Sequence, residues 1–63
     1  MAKTDVKVQL SGEDGNAFAI LGKVQKALKA AGRPDLARKY FAEATTGDYD
    51  HLLQTTMKYV KVE

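Results

Sequence analysis

Residues 16–31 read NAFAILGKVQKALKAA. At about 100° per residue, Ala17, Ile20, Leu21, Val24, Ala27, Leu28 and Ala31 fall within one arc of about 120°. Gly22, Gln25, Lys26, Lys29 and Arg33 project on the opposite side, with Lys23 at its edge. The stretch therefore predicts an amphipathic helix that buries Ile20, Leu21, Val24 and Leu28 and exposes Lys23, Lys26 and Lys29. Gly32 is suited to end it, because glycine accepts the left-handed backbone just past a helix. Ahead of it, Ser11-Gly12-Glu13-Asp14-Gly15-Asn16 reads as a turn whose acids favour a helix N-terminus. Ser11 and Asp14 are the two candidate caps, and Asp14 is the preferred one.

Working outward, Pro34 opens a second helix at its first turn, where the missing N–H costs nothing. Over residues 34–46, Leu36, Ala37, Tyr40, Phe41 and Ala44 share one face, while Asp35, Arg38, Lys39 and Glu43 lie outside it. Gly47 is read as its end. Asp48 is a good cap for a short third helix, in which Tyr49, Leu52, Leu53, Thr56 and Met57 converge on one side. At the chain ends, Lys3 to Leu10 alternates: Val6, Val8 and Leu10 face one way, and Asp5, Lys7 and Gln9 the other. Val60 and Val62 share one face of a last strand. A lone terminal strand would leave its backbone groups unpaired, so the two ends are expected to pair near Val6–Leu10 and Tyr59–Val62. The expected fold class is α+β, in the order β-α-α-α-β. Three short helices would pack on a two-stranded ribbon formed by the chain termini. The connection is long enough for either a parallel crossover or an antiparallel return.

Sixty-three residues make a single domain, 1–63. The chain has no cysteine, so no disulfide is available, and its one soft metal ligand is His51. Stability must come from a core or from a second subunit. The expected core is Val6, Val8, Leu10, Ile20, Leu21, Val24, Leu28, Leu36, Tyr40, Phe41, Leu52, Leu53, Met57, Val60 and Val62. The opening MAKTDVKV has no apolar signal-peptide region, and no apolar stretch approaches the ~20 residues of a membrane span. A cytoplasmic protein is expected. The net charge of +2 is mild, so only its distribution matters.

The stretches DGNAFAI-G-V--AL--AG and A--GDYDHLL-T-MK-V-VE, with the opening V-V-L strand, resemble a family of very small proteins found in bacteria and their phages. The match covers most of the chain. Its departure lies in the hinge Arg33-Pro34-Asp35. The resemblance implies an accessory factor of phage type and no particular activity. In helix count and length alone, the chain is also similar to the compact three-helix ubiquitin-associated type of domain, to which terminal strands do not belong.

The chemistry-bearing residues are few. A serine nucleophile would have to be Ser11 with His51 as its base, and nothing in the sequence brings them together. His51 is expected as a solvated surface side chain near Lys58. Asp48, Asp50 and His51 lack a fourth ligand, and Glu13, Asp14 and Asn16 lack the spacing of a calcium loop. The loop SGEDGN carries acids that repel anions, so no phosphate cradle is expected. No catalytic, cofactor or metal site is assigned. Two features remain. Lys23, Lys26, Lys29 and Arg33 form a basic stripe that Arg38, Lys39 and Lys58 can extend. Phe18 falls about 60° beyond the apolar arc, beside Gly22 and Gln25. Cover from the chain ends or the third helix is the first reading for Phe18, and a partner contact is the second. Gly22 in mid-helix suggests that something approaches closely there. The expected function is that of a small non-enzymatic interaction protein, binding a protein partner or itself through Phe18, Gly22, Gln25 and Lys26. The alternative is a nucleic-acid-binding module that uses Lys23, Lys26, Lys29 and Arg33 on phosphates.

Overall fold

Asn16 is the residue that starts the first helix. In the computed structural model, which describes residues 2–10 and 16–63, its Oδ1 accepts the amide N–H of Ala19 at 3.1 Å from an extended backbone. The cap is therefore not Asp14, as the turn's composition suggests. Ser11 and Asp14 lie outside the described residues. Helix α1 runs Ala17–Ala30. Gly32, at φ 78°, then lets the chain fold back. Its N–H reaches Lys29 C=O at 3.0 Å, and the Arg33 N–H reaches Leu28 C=O at 2.9 Å. This paired closure satisfies two orphan carbonyls and needs a left-handed residue at Gly32.

Helix α2 runs Pro34–Ala44, with the proline in its first turn and an Arg33–Asp35 ion pair at 3.5 Å across its start. It stops short of the expected Thr46, and the closing residues are threonines. Thr45 Oγ1 donates to Phe41 C=O at 2.8 Å, and Thr46 Oγ1 donates to Glu43 C=O at 2.7 Å. Gly47 does not adopt the left-handed backbone of a helix-ending glycine. Helix α3 runs Tyr49–Tyr59, capped as expected by Asp48, whose Oδ1 accepts the His51 N–H at 2.9 Å.

Strands β1 (Lys7–Val8) and β2 (Lys61–Val62) pair in parallel, with Lys7 opposite Lys61 and Val8 opposite Val62. A parallel pair needs a crossover of a dozen or more residues, and the three helices supply it. Backbone bonding reaches well past the short strands. Lys61 N–H donates to Val6 C=O at 2.8 Å, Glu63 N–H to Val8 C=O at 2.9 Å, and Lys3 N–H to Lys58 C=O at 2.8 Å. Thr4 Oγ1 adds a bond to Tyr59 C=O at 2.8 Å.

The core lies between the helices and one face of this ribbon. Helix α1 packs mainly on α2, α2 on α3, β1 against α1, and β2 against α3. Ile20, Leu21, Val24 and Leu28 are buried as the periodicity of α1 predicts, and so are Val8, Leu10, Leu36, Tyr40, Leu52 and Val60. Val6 and Leu53 pack at its margin. Three expected core residues are instead open to solvent: Phe41, Met57 and Val62, at 46%, 55% and 41% exposure. Phe41 lies at the edge of a face centred on Ala37, Tyr40 and Ala44. Val62 is the register partner of Val8 but lacks the cover that α1 gives β1. In α3 the buried line runs through Leu52, Thr55, Thr56 and Tyr59, so Tyr49 and Met57 rotate outward.

Two hydroxyls explain that rotation. The Tyr40 hydroxyl is buried and lies 2.8 Å from Thr56 Oγ1. Thr56 spends its own proton on Leu52 C=O at 2.8 Å, so Tyr40 is the donor to Thr56. Burial pushes the Tyr40 phenol above its usual pKa, with Thr56 opposing. The Tyr59 ring meets Tyr40 edge-on, with centroids 5.6 Å apart, and Lys3 Nζ sits 5.4 Å from the centre of the Tyr59 ring. The Tyr59 hydroxyl donates to Glu43 Oε1 at 3.0 Å, and Lys58 pairs with the other carboxylate oxygen. Lys58, and after it Tyr59, hold the Glu43 carboxyl below its usual range.

Leu28→Ala removes a fully buried side chain and should cost about 2–5 kcal/mol in urea unfolding, whereas Phe41→Ala should cost far less. Because the folded state lowers the Glu43 pKa, the stabilisation from Glu43 is complete above its unfolded-state pKa. It is lost as pH falls through the folded-state value. Urea midpoints of Glu43→Gln should therefore lie below those of the natural chain at neutral pH and converge with them in acid. A constant gap at every pH would show that the carboxylate pairing does not contribute.

Candidate functional site

Among the described residues, the core leaves one large apolar side chain almost wholly unused. Phe18 projects from the first turn of α1 and is 87% exposed. Neither the chain ends nor α3 covers it, contrary to the first reading from the sequence. The helical geometry gives the reason: α1 turns its Ile20–Leu21–Val24–Leu28 stripe inward, and Phe18 lies beyond the edge of that stripe.

Phe18 stands on the rim of a groove of about 270 Å³. Ala17, Phe18 and Leu21 of α1 form one wall. Ala44 and Thr45 at the end of α2, and Gly47, Asp48, Tyr49 and Leu52 from the following turn and α3, form the other. The lining is mostly apolar and includes the half-open ring of Tyr49.

The far wall is held in place by His51. Its Nε2–H donates to Glu43 C=O at 2.9 Å, with Thr46 Oγ1 at 3.1 Å and Thr55 Oγ1 at 3.4 Å from the same nitrogen. His51 is therefore half-buried and ties α3 to the end of α2, in place of the solvated position beside Lys58 expected from its spacing. Gly47 belongs to the same lock. A Cβ built there would lie 2.8 Å from His51 Cβ and Cγ, so the turn has room for glycine alone.

The other expected site residues divide clearly. Gly22 and Lys26 are exposed and Gln25 is half-buried, on the same side of α1 as Phe18. A Cβ at Gly22 would meet nothing within 4 Å, so no part of the chain makes the close approach expected there. Lys26 and Lys29 are exposed, Lys23 is half-buried, and none of the three forms an ion pair with a described residue. Arg33 is paired with Asp35, and Lys58 with Glu43, which removes Lys58 from the stripe. Arg38 and Lys39 remain exposed on α2. Asp48 is engaged as a cap and Asp50 accepts from Gln54 Nε2 at 3.0 Å. Among the described residues no three acids or histidines are placed to hold a metal. Ser11, Glu13 and Asp14 lie outside the described residues, and with them the serine–histidine and calcium-loop readings. Among the described residues no helix is long and apolar enough to cross a membrane.

Gly22→Ala should raise stability by about 0.5–1 kcal/mol, since it removes the helical cost of glycine without a clash. Gly47→Ala should lower stability and loosen the exchange protection of the His51 amide. Equal effects of the two changes on thermal unfolding would contradict this account of the groove wall. No family model, curated protein or solved structure matches the chain, so the groove and its rim are what bear on its function.

Proposed function

We propose that this chain is a small non-enzymatic accessory protein that binds a protein partner through the face formed by Phe18, Gly22, Gln25 and Lys26 and the groove beside it. The observation that carries this reading is the 87% exposure of Phe18 at the mouth of a braced apolar groove. A free aromatic ring with a shaped apolar recess next to it is the composition of an interface hot spot. The groove volume of about 270 Å³ falls just below the ~300–1,000 Å³ typical of small-molecule sites, so it suits one or two inserted side chains. Gln25 and Lys26 supply a polar rim, and the open side of Gly22 lets a partner backbone come close. The reading includes a cytoplasmic setting and, on the resemblance noted above, a factor of phage type.

A nucleic-acid-binding role is the second reading. It is favoured by the absence of an acidic partner for Lys26 and Lys29 among the described residues. It makes Phe18 a stacking platform at most, and it leaves the groove unused.

A photoreactive aromatic residue at position 18, with position 39 on α2 as control, separates the two. Irradiation of intact cells should yield protein adducts from position 18 and not from position 39, and nuclease should leave them unchanged. Adducts that disappear on nuclease treatment, or none at position 18, would remove the protein-binding role. Phe18→Ala should shift folding stability by no more than about 0.5 kcal/mol, as at any exposed site.

A further inference from the structure

We infer that the outer face of α1 takes an acidic segment of a partner protein that carries one apolar anchor. The anchor packs on Phe18, and the carboxylates meet Lys26 and Lys29. This rests on the reading of the Phe18 face as a protein-binding surface and names the chemistry of the partner.

The helical period makes this face a strip with two unlike ends. At about 100° per residue, Phe18, Gly22, Gln25, Lys26 and Lys29 fall within one arc of about 100° on the outer side of α1. Phe18, 87% exposed, is the apolar end. Lys26 and Lys29, both exposed, are the cationic end. Gly22 lies between them as a low point, since even an added Cβ would meet nothing within 4 Å. From Ala17 to Pro34 the chain holds Lys23, Lys26, Lys29 and Arg33 and no acid. The ion pairs of the described acids go to Arg33, Lys58 and Lys61. Lys26 and Lys29 therefore keep their charge for a partner of opposite sign.

The two ends fix the spacing of groups on the partner. A helical rise of about 1.5 Å per residue puts Lys26 about 12 Å and Lys29 about 16 Å along α1 from Phe18. An extended segment, at about 3.3 Å per residue, covers that span in about four or five residues. The anchor and the carboxylates are separated by that much chain. A nucleic acid matches the strip less well. It carries a charge on every phosphate and would set one beside Phe18, where Asp48 lines the adjoining groove. Two exposed charge contacts and one anchor make a reversible complex that salt weakens.

Amide NMR titration of the full chain tests this with a synthetic peptide. The peptide carries one phenylalanine and, about four to six residues along, three glutamates in a glycine–serine background. It is used in both sequence orders. Shifts should concentrate on residues 18–29 and leave Arg38 and Lys39 on α2 unmoved, and rising salt should weaken binding. Phe18→Ala should weaken it about tenfold, and so should Lys26→Glu combined with Lys29→Glu. That charge-reversed pair should in turn bind the same peptide with lysines in place of its glutamates. Thermal unfolding checks each variant. If the pair fails to fold, Lys26→Gln with Lys29→Gln replaces it and should lower both affinity and salt sensitivity. No shifts with either order, shifts spread over every surface cation, or equal binding of the lysine peptide by the natural chain would overturn the acidic partner. A single-stranded oligonucleotide that binds the strip more tightly than the peptide would also overturn it. Position-18 adducts that resist nuclease and form equally on the charge-reversed pair would overturn the acidic partner and leave the protein-binding reading standing. The absence of any position-18 adduct would remove both.

Discussion

The Tyr40 hydroxyl is buried among apolar side chains, and a buried hydroxyl without a partner costs about 1–3 kcal/mol. The partner it finds is Thr56, on the next helix. That bond sets the rotation of α3 about its own axis. With Thr56 facing Tyr40, the helical period brings Leu52, Thr55 and Tyr59 inward as well. Met57 and Tyr49 must then face out. An α3 turned to bury Met57 and Tyr49 would hide more apolar surface but would strand a hydroxyl in the core.

The rest of the tertiary structure follows from that rotation. Tyr59 is delivered edge-on to Tyr40, and its hydroxyl reaches Glu43 on α2. The chain leaves α3 directly at the place where the amino-terminal segment can join it. Lys3, Thr4 and Val6 bond to Lys58, Tyr59 and Lys61, and Lys3 also lies over the Tyr59 ring. Two strands of two residues each are too short to be stable alone. They persist because they are extensions of a helix end that the core already holds.

The same rotation creates the groove. Tyr49, turned out of the core, and Phe18, left outside the α1 stripe, both line it. Between them the α2–α3 turn is braced by His51 and by the space that only Gly47 leaves. A recess with fixed walls costs a partner little reorganisation, which favours binding by a small apolar anchor. His51 thus contributes to the site by holding its wall, with its ring nitrogen committed to Glu43 C=O.

What the sequence alone determines here is whatever depends on neighbours within a turn or two. The stripe Ile20–Leu21–Val24–Leu28, the reversal at Gly32, the helix start at Pro34, the Asp48 cap and the alternation of Val6, Val8 and Leu10 are all local patterns. Each is realised in the fold. The order β-α-α-α-β and the pairing of the two ends follow from them, because lone strands cannot satisfy their own backbones. Tertiary structure alone decided the parallel direction of the ribbon, since either direction was within reach of the connection. It also decided which of two adjacent arcs of α3 faces inward, through a hydroxyl pair sixteen residues apart in the chain. The exposure of Met57 and Tyr49 and the setting of His51 depend on that choice. Phe18 was legible as an anomaly of the helical wheel. Its freedom and the groove beside it arise from the meeting of three helices, which no single stretch of sequence records.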